Sequence, residues 1–471
     1  MSQKNETPAL IVALLLTALL LGGGGWLLFN RFFQSGVPGV ASSDGQSGNS
    51  SEVTPDRFSD GTQLLDPSNA SPEKQAGIAA IGAGNFEQAV QDLTTSLQVN
   101  RNDPEALIYL NNAQIGQQKS YTIAVAVPMA TSLSTAQEIL RGVAQSQAEV
   151  NRAGGINGVP LKVKIASDDS SPALAPAVAR SLIEDGSVLG VVGHFSSGAS
   201  LAAGEVYQQG GLVMISPTST AVQLSNLGDF VFRTVPSDRF SATTLSRYML
   251  TNLQRRNAAI FFDSSSQYSL SLKEEFTTAV ANDGGQVVAD FDLNNPGFSA
   301  SNAIEQARRQ GAEVLVLLSS SSVLNLALQV VTVNQRKLPL LAGDDLYDPK
   351  TLEVGGAAAE GMVVAVPWIL LADPNSAFAQ QSRQFWGGDV NWRTAMAYDA
   401  AQVLITGLKQ NPTRQGIQQT LTAPNFSLLG ATGTVRFLSS GDRSQPMQLV
   451  TVKPGTRSGY EFDFVPVTPS L

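Results

Sequence analysis

Cysteine is missing from all 471 residues, and histidine occurs once, as His194. Without thiols there is no disulfide framework, no thiolate metal site, no thiol nucleophile and no cysteine to carry a lipid. A single imidazole is also too few for a histidine-based metal centre, so neither a metal nor a cofactor is expected. Positive charge is scarce as well: 30 lysines and arginines stand against 39 aspartates and glutamates, a formal net charge of −9. Phosphate backbones are bound by dense basic stripes, and no such run occurs, which excludes nucleic acid as a partner. The remaining composition, 43% hydrophobic and 15% charged, is that of a globular chain long enough for two or three compact units.

One long uncharged run stands at the amino end. Residues 9–29 ("ALIVALLLTALLLGGGGWLLF") lie between Lys4 and Arg31. As a helix this run would reach about 31 Å, against a hydrocarbon core of about 30 Å. Trp26 sits where an interfacial aromatic belongs. A cleaved signal peptide wants a shorter run and a small-residue cleavage site, so an uncleaved single-pass anchor is the expectation. Gly22 to Gly25 weaken such a helix, and the flanking charges nearly balance, which leaves orientation open. Residues 30–72, rich in Ser, Gly, Asp and Pro, read as a flexible tether.

Residues 73–116 change character. Ala89, Leu93, Ser96 and Leu97 fall at i, i+4, i+7 and i+8, one face of a helix. "GNFEQA" and "NRNDPEA" both read as a turn into a helix, with Pro104 in a first turn. Gly77, Gly84, Phe86 and Ala89 give the segment a resemblance to a tetratricopeptide unit, with Ser96 and Arg101 departing from its pattern. One repeat and the start of another fall short of the three a solenoid needs. A helical hairpin acting as a spacer is therefore expected over a partner-binding groove.

From Ser120 onward, apolar runs such as "YTIAVAVPM", "VLGVVG", "AAIFFD" and "VLVLLS" alternate with amphipathic segments, among them 137–152, 173–184 and 270–282. That alternation predicts an α/β fold of parallel sheets flanked by helices, in two lobes. Six stretches then carry a family resemblance in order: "NRAGGINGVPLKVKIASDDSS", "VVGHFSSGASLAAGEVYQQGGLVMISPTST", "FRTVPSD", "EGMVVAVPW", "AYDA" and "GATGTVRF". Together they resemble the type I periplasmic ligand-binding proteins, in the branch that binds branched-chain amino acids. The resemblance implies a hinged two-lobed domain over 120–466. Its first lobe would take about 120–236 and 368–434, its second about 237–367 and 435–466.

The stretch around His194 invites a hydrolase reading, with Ser196 or Ser197 as nucleophile. "GHFSSG" is not a G-x-S-x-G elbow, and no third group is placed to orient a base, so a structural imidazole is expected. A quieter chemistry fits better. Ser197 opens a helix after an apolar strand, where free N–H groups and the helix dipole attract a carboxylate. "LVMIS" runs into "PTST", placing Thr218 and Thr220 at a neighbouring strand end. In the resembling family, positions matching Ser197, Thr218 and Thr220 grip an amino acid's carboxylate and amino ends. The resemblance further implies site roles for Tyr268, for the acid Asp345 (Asp344 on a one-residue slip) and for Asp238. Thr135 and the run Ser319–Ser322 stand where the family has aromatic rings, which predicts a wetter or roomier pocket.

The function expected is a membrane-tethered extracytoplasmic solute-binding protein, not an enzyme. It would capture an amino acid or related small carboxylate and deliver it to an ABC permease. The alternative is a sensory module reporting to a signalling partner; since no kinase, cyclase or second span follows the lobes, that signal would pass through another chain. A serine hydrolase is the remote third reading.

Overall fold

The computed structural model describes residues 53–467. The apolar run at 9–29 lies outside the described residues, and within them no helix is long and apolar enough to cross a membrane.

Two sheets order the chain. The first contains β1 (Phe58–Ser59), β2 (Tyr121–Val127), β3 (Leu161–Ser167), β4 (Val188–Val192), β5 (Met214–Ser216) and β6 (Val231–Arg233), in the order β1-β3-β2-β4-β5-β6. Neighbours from β3 to β6 run parallel, and β1 is antiparallel to β3. The second contains β7 (Asn257–Phe262), β8 (Gln286–Asp292), β9 (Val314–Leu318), β10 (Leu340–Ala342) and β11 (Val363–Val366). After a small hairpin, β12 (Leu428–Gly430) with β13 (Gly433–Val435), the antiparallel β14 (Gln448–Pro454) and β15 (Phe462–Pro466) complete it. Its order is β15-β14-β11-β10-β9-β7-β8. β9 is buried at every position, as a strand covered on both faces must be.

The chain crosses between lobes after β6, after β11 and after β13. Two buried arginines tie these crossings together. Arg233 donates from Nε to Asp442 at 2.7 Å, and Arg443 donates to the Thr234 carbonyl at 3.3 Å and to Asp399 at 3.2 Å. On the second crossing, helix Trp392–Gln410 returns to the first lobe and packs along helix Leu133–Arg152. Gly142 permits that approach, because a Cβ there would run into the Thr394 carbonyl.

Three helices, Pro72–Gly82, Phe86–Val99 and Pro104–Ile115, precede the first lobe, N-capped by the side chains of Ser71, Asn85 and Asp103. Ala89, Leu93 and Ser96 form the buried face of the middle one. The tether expected over 30–72 needs correction from Val53 onward. Phe58 and Ser59 add a strand to the first sheet, Arg57 pairs with Asp169 at 2.6 Å, and Asp66 accepts from Gln137 at 2.8 Å. A few specific anchors offset the ordering entropy that the average composition could not.

Lys74 is fully buried, 2.7 Å from Asp103 and 2.8 Å from Glu105. Glu105 also accepts from the Leu65 N–H at 2.7 Å and the Tyr109 hydroxyl at 2.8 Å. Removing the cation leaves two buried acids with no counter-charge, a change that costs about 3–5 kcal/mol. Lys74→Ala should therefore lower the urea midpoint of this region; an unchanged midpoint would show that the triad contributes no stability.

Candidate ligand-binding site

Parallel strands end at one edge, and in both lobes that edge faces the cleft. In the first lobe β4 gives way to helix Ser197–Gly210, whose cap Ser196 accepts from the Ala199 N–H at 3.3 Å. Ser197, in the first turn, is 2% exposed. Its hydroxyl oxygen accepts from the Ala221 N–H at 3.3 Å, which leaves its proton to donate. Thr218 spends its own proton on the Phe195 carbonyl at 2.8 Å. Arg233 fastens the loop from below, donating to the carbonyls of Ser219 at 3.3 Å and Ala221 at 2.8 Å.

The second lobe supplies the opposite wall. Tyr268, in the first turn of helix Gln267–Asn282, donates to Asp344 Oδ1 at 2.7 Å. Gly343 makes room for that phenol, since a Cβ there would strike it. Asp345 accepts from the Ser321 N–H at 2.9 Å and from Arg393 at 2.8 Å. Burial, then the adjacent Asp345 carboxyl, push Asp344 up to about 7. Burial also lifts Tyr268 well above the usual phenol range, reinforced by Asp344.

These groups enclose an inner chamber of about 50 Å³, lined by Ser197, Thr218, Tyr268, Asp344, Asp345 and Trp392 among others. Through Phe195, Ser196, Ser197, Ser266 and Ser320–Ser321 it shares its walls with an outer cleft of about 760 Å³. Ligand pockets usually span about 300–1,000 Å³, so the outer cleft has the volume for a guest and the inner chamber is its polar floor.

The structure thus brings four of the expected residues, Ser197, Thr218, Tyr268 and Asp345, to one chamber. Three lie elsewhere. Thr220 and Asp238 are buried beside it: the Asp238 N–H donates to the Thr220 carbonyl at 2.8 Å, while the Thr220 hydroxyl and both Asp238 oxygens lack a well-formed hydrogen bond. Burial pushes Asp238 to about 7, with the nearby hydroxyls of Ser271 and Thr220 pulling it back only in part. Thr135 accepts from the Ser132 hydroxyl at 3.0 Å, and it is Ser132 and Thr131 that line the outer cleft. The role expected for Asp345 is also altered, because Arg393 already occupies it. Trp392 and Arg393 escaped sequence reading; Arg393 stacks 4.5 Å over the Trp392 ring, and Trp392 Nε1 is buried without a partner. Their one signal was a Trp-Arg pair opening the helix that carries "AYDA".

His194 is no base for either serine. Contrary to expectation a third group does orient the ring, since its Nδ1 meets Asp168, but its Nε2 lies 3.1 Å from the Tyr207 hydroxyl and not against a serine, and the ring is fully buried. Its carbonyl accepts from Ser216 at 2.9 Å and Ser200 at 3.1 Å, so the residue braces the turn that presents Ser197.

Comparison with known proteins agrees with this geometry. The family described as periplasmic binding protein matches residues 120–458. Leu/Ile/Val-binding protein homolog 3 of Brucella melitensis is 25% identical over 330 residues, 69% of this chain and 89% of that one. The leucine-, isoleucine-, valine-, threonine-, and alanine-binding protein of Pseudomonas aeruginosa is 25% identical over 326 residues, 68% and 86% of the two chains. Among solved structures, a leucine-binding protein of Thermotoga maritima shares the fold at a TM-score of 0.64 and 22% identity, covering 74% of this chain and 99% of its own. A solute-binding protein of Rhodopseudomonas palustris in complex with 4-hydroxybenzoate shares it at 0.65 and 13%, covering 74% and 96%. With that family matched across both lobes, the chain belongs to the periplasmic binding proteins, solute-binding proteins and not enzymes.

Proposed function

We propose that this protein captures a small carboxylate-bearing solute, an amino acid or a near relative, between its lobes and delivers it to an ABC importer. The observation that carries the proposal is the facing pair of walls. One offers a helix amino end with the free proton of Ser197, which suits a carboxylate. The other offers Asp344, an acid that among the described residues accepts a hydrogen bond from Tyr268 alone, which suits an ammonium or another donor. The names of the Brucella and Pseudomonas relatives support an amino acid as the solute. The domain would work on the extracytoplasmic side, held to the plasma membrane by the apolar run at 9–29.

A sensory role through a partner chain is the second reading. It is favoured by the three helices at 72–115, whose likeness to a tetratricopeptide unit would give a partner something to hold. Capture of a permease, rather than a signalling protein, by the membrane-bound full chain separates the two.

Calorimetry tests the carboxylate cradle. A charge-assisted hydrogen bond is worth about 1.5–3 kcal/mol, and about 1.4 kcal/mol is tenfold. Ser197→Ala should therefore weaken binding of the best amino acid at least tenfold. Equal affinity in the variant would remove Ser197 from the site.

The acid wall adds a pH dependence. An ammonium guest requires Asp344 ionised, and its carboxyl sits at about 7. Affinity should be level well above that pH and fall by roughly tenfold per unit well below it, with a proton released on binding. Asp344→Asn should flatten the profile; a slope that persists in the variant assigns the titration elsewhere.

A further inference from the structure

The outer cleft says more about the guest than its class. We infer that the end of the guest remote from its carboxylate is an uncharged hydrogen-bond donor, a primary amide rather than a branched aliphatic chain. This deepens the amino-acid reading above and rests on it.

Asp263 is fully buried at the end of β7. Its carboxylate accepts from the hydroxyls of Ser265 at 2.6 Å and Ser322 at 3.2 Å, from the Ser320 hydroxyl, and from the Ser265 N–H at 2.9 Å. Ser320 and Ser322 also lie 2.6 Å apart. All three serines line the outer cleft. A serine hydroxyl has one proton and two lone pairs. With the protons committed to this cluster behind the wall, the serine oxygens can offer the cleft only acceptors. A buried carboxylate has in effect set the polarity of three hydroxyls at once.

Elsewhere the lining is mixed: Pro172, Phe195, Leu201 and Ala202 give it an apolar part, and Ser170 adds a buried hydroxyl with no partner, able to donate or accept. Among the described residues no lysine or arginine lines the cleft, so an anionic far end would meet lone pairs and no cation. A cationic far end fares little better, since Asp169 is already paired with Arg57 and Asp263 lies behind its serines. Glu205 is exposed, where water and salt screen its pull. An aliphatic side chain would strip water from the serine oxygens and return no hydrogen bond. A neutral donor is what remains.

Glutamine, glutamate and methionine have similar length and differ at the far end as donor-bearing amide, acceptor-only carboxylate and thioether. Calorimetry of the full chain should find glutamine binding at least tenfold tighter than either. Ser322→Leu, an exposed position, should weaken glutamine at least fivefold and narrow its lead over methionine. Asp263→Asn should shrink the preference for glutamine over glutamate; should it fail to fold, the Ser322 variant still decides. Methionine or glutamate binding as well as glutamine, or a lead untouched by Ser322→Leu, overturns the inference and leaves the amino-acid reading standing. If none of the three binds, and leucine does not either, both fall together.

Discussion

Strand polarity is the constraint on which everything else in this molecule rests. Because β2 to β6 and β7 to β11 run parallel within their sheets, every strand-to-helix turn of a lobe gathers at one edge. Helix amino ends, caps and unpaired loop polar groups therefore collect there without any special placement. Facing two such edges makes a cleft whose walls are already polar. What remains for individual side chains is to set the sign of each wall. Ser197 does this on one side, and the acids after β10 do it on the other.

Those acids show how burial reshapes a site. Two adjacent carboxyls in a dry pocket cannot both be ionised cheaply. Burial raises both: at Asp345 the Arg393 guanidinium, bound at 2.8 Å, offsets this only in part, while Asp344 rises to about 7 and leans on the Tyr268 hydroxyl. Asp263 sits instead among three serine hydroxyls and an N–H that all donate to it, an arrangement that orders the wall a guest would touch.

Much of the fold was legible because it is local. Runs such as Val314–Leu318 and helix starts such as Asn85–Phe86 and Asp103–Pro104 declare themselves within a few residues. The cradle was half legible, since Ser197 and Thr218 follow strands and precede helices. What could not be read depends on partners far away in the chain. Gly142 answers to Thr394, Arg57 to Asp169, and Arg393 to Asp345 across 48 positions. The tether reading failed from Val53 for the same reason: composition measures an average, while a buried anchor is a single encounter. Nor could spacing have told that Arg393 neutralises the acid the family pattern selects, because nothing near residue 345 in sequence hints at a cation.

The cleft also carries contacts that need no guest. Arg393 belongs to a helix packed on the first lobe and Asp345 to the second, and the Val222 N–H donates to the Ser271 hydroxyl at 3.1 Å from one lobe to the other. Any motion that parted these residues would break a buried ion pair, which is costly unless water reaches both charges. The inner chamber of about 50 Å³ is too small to admit a whole amino acid. A guest must therefore hold its bulk in the serine-lined cleft, so that the polar floor recognises one end and the Asp263 wall judges the other.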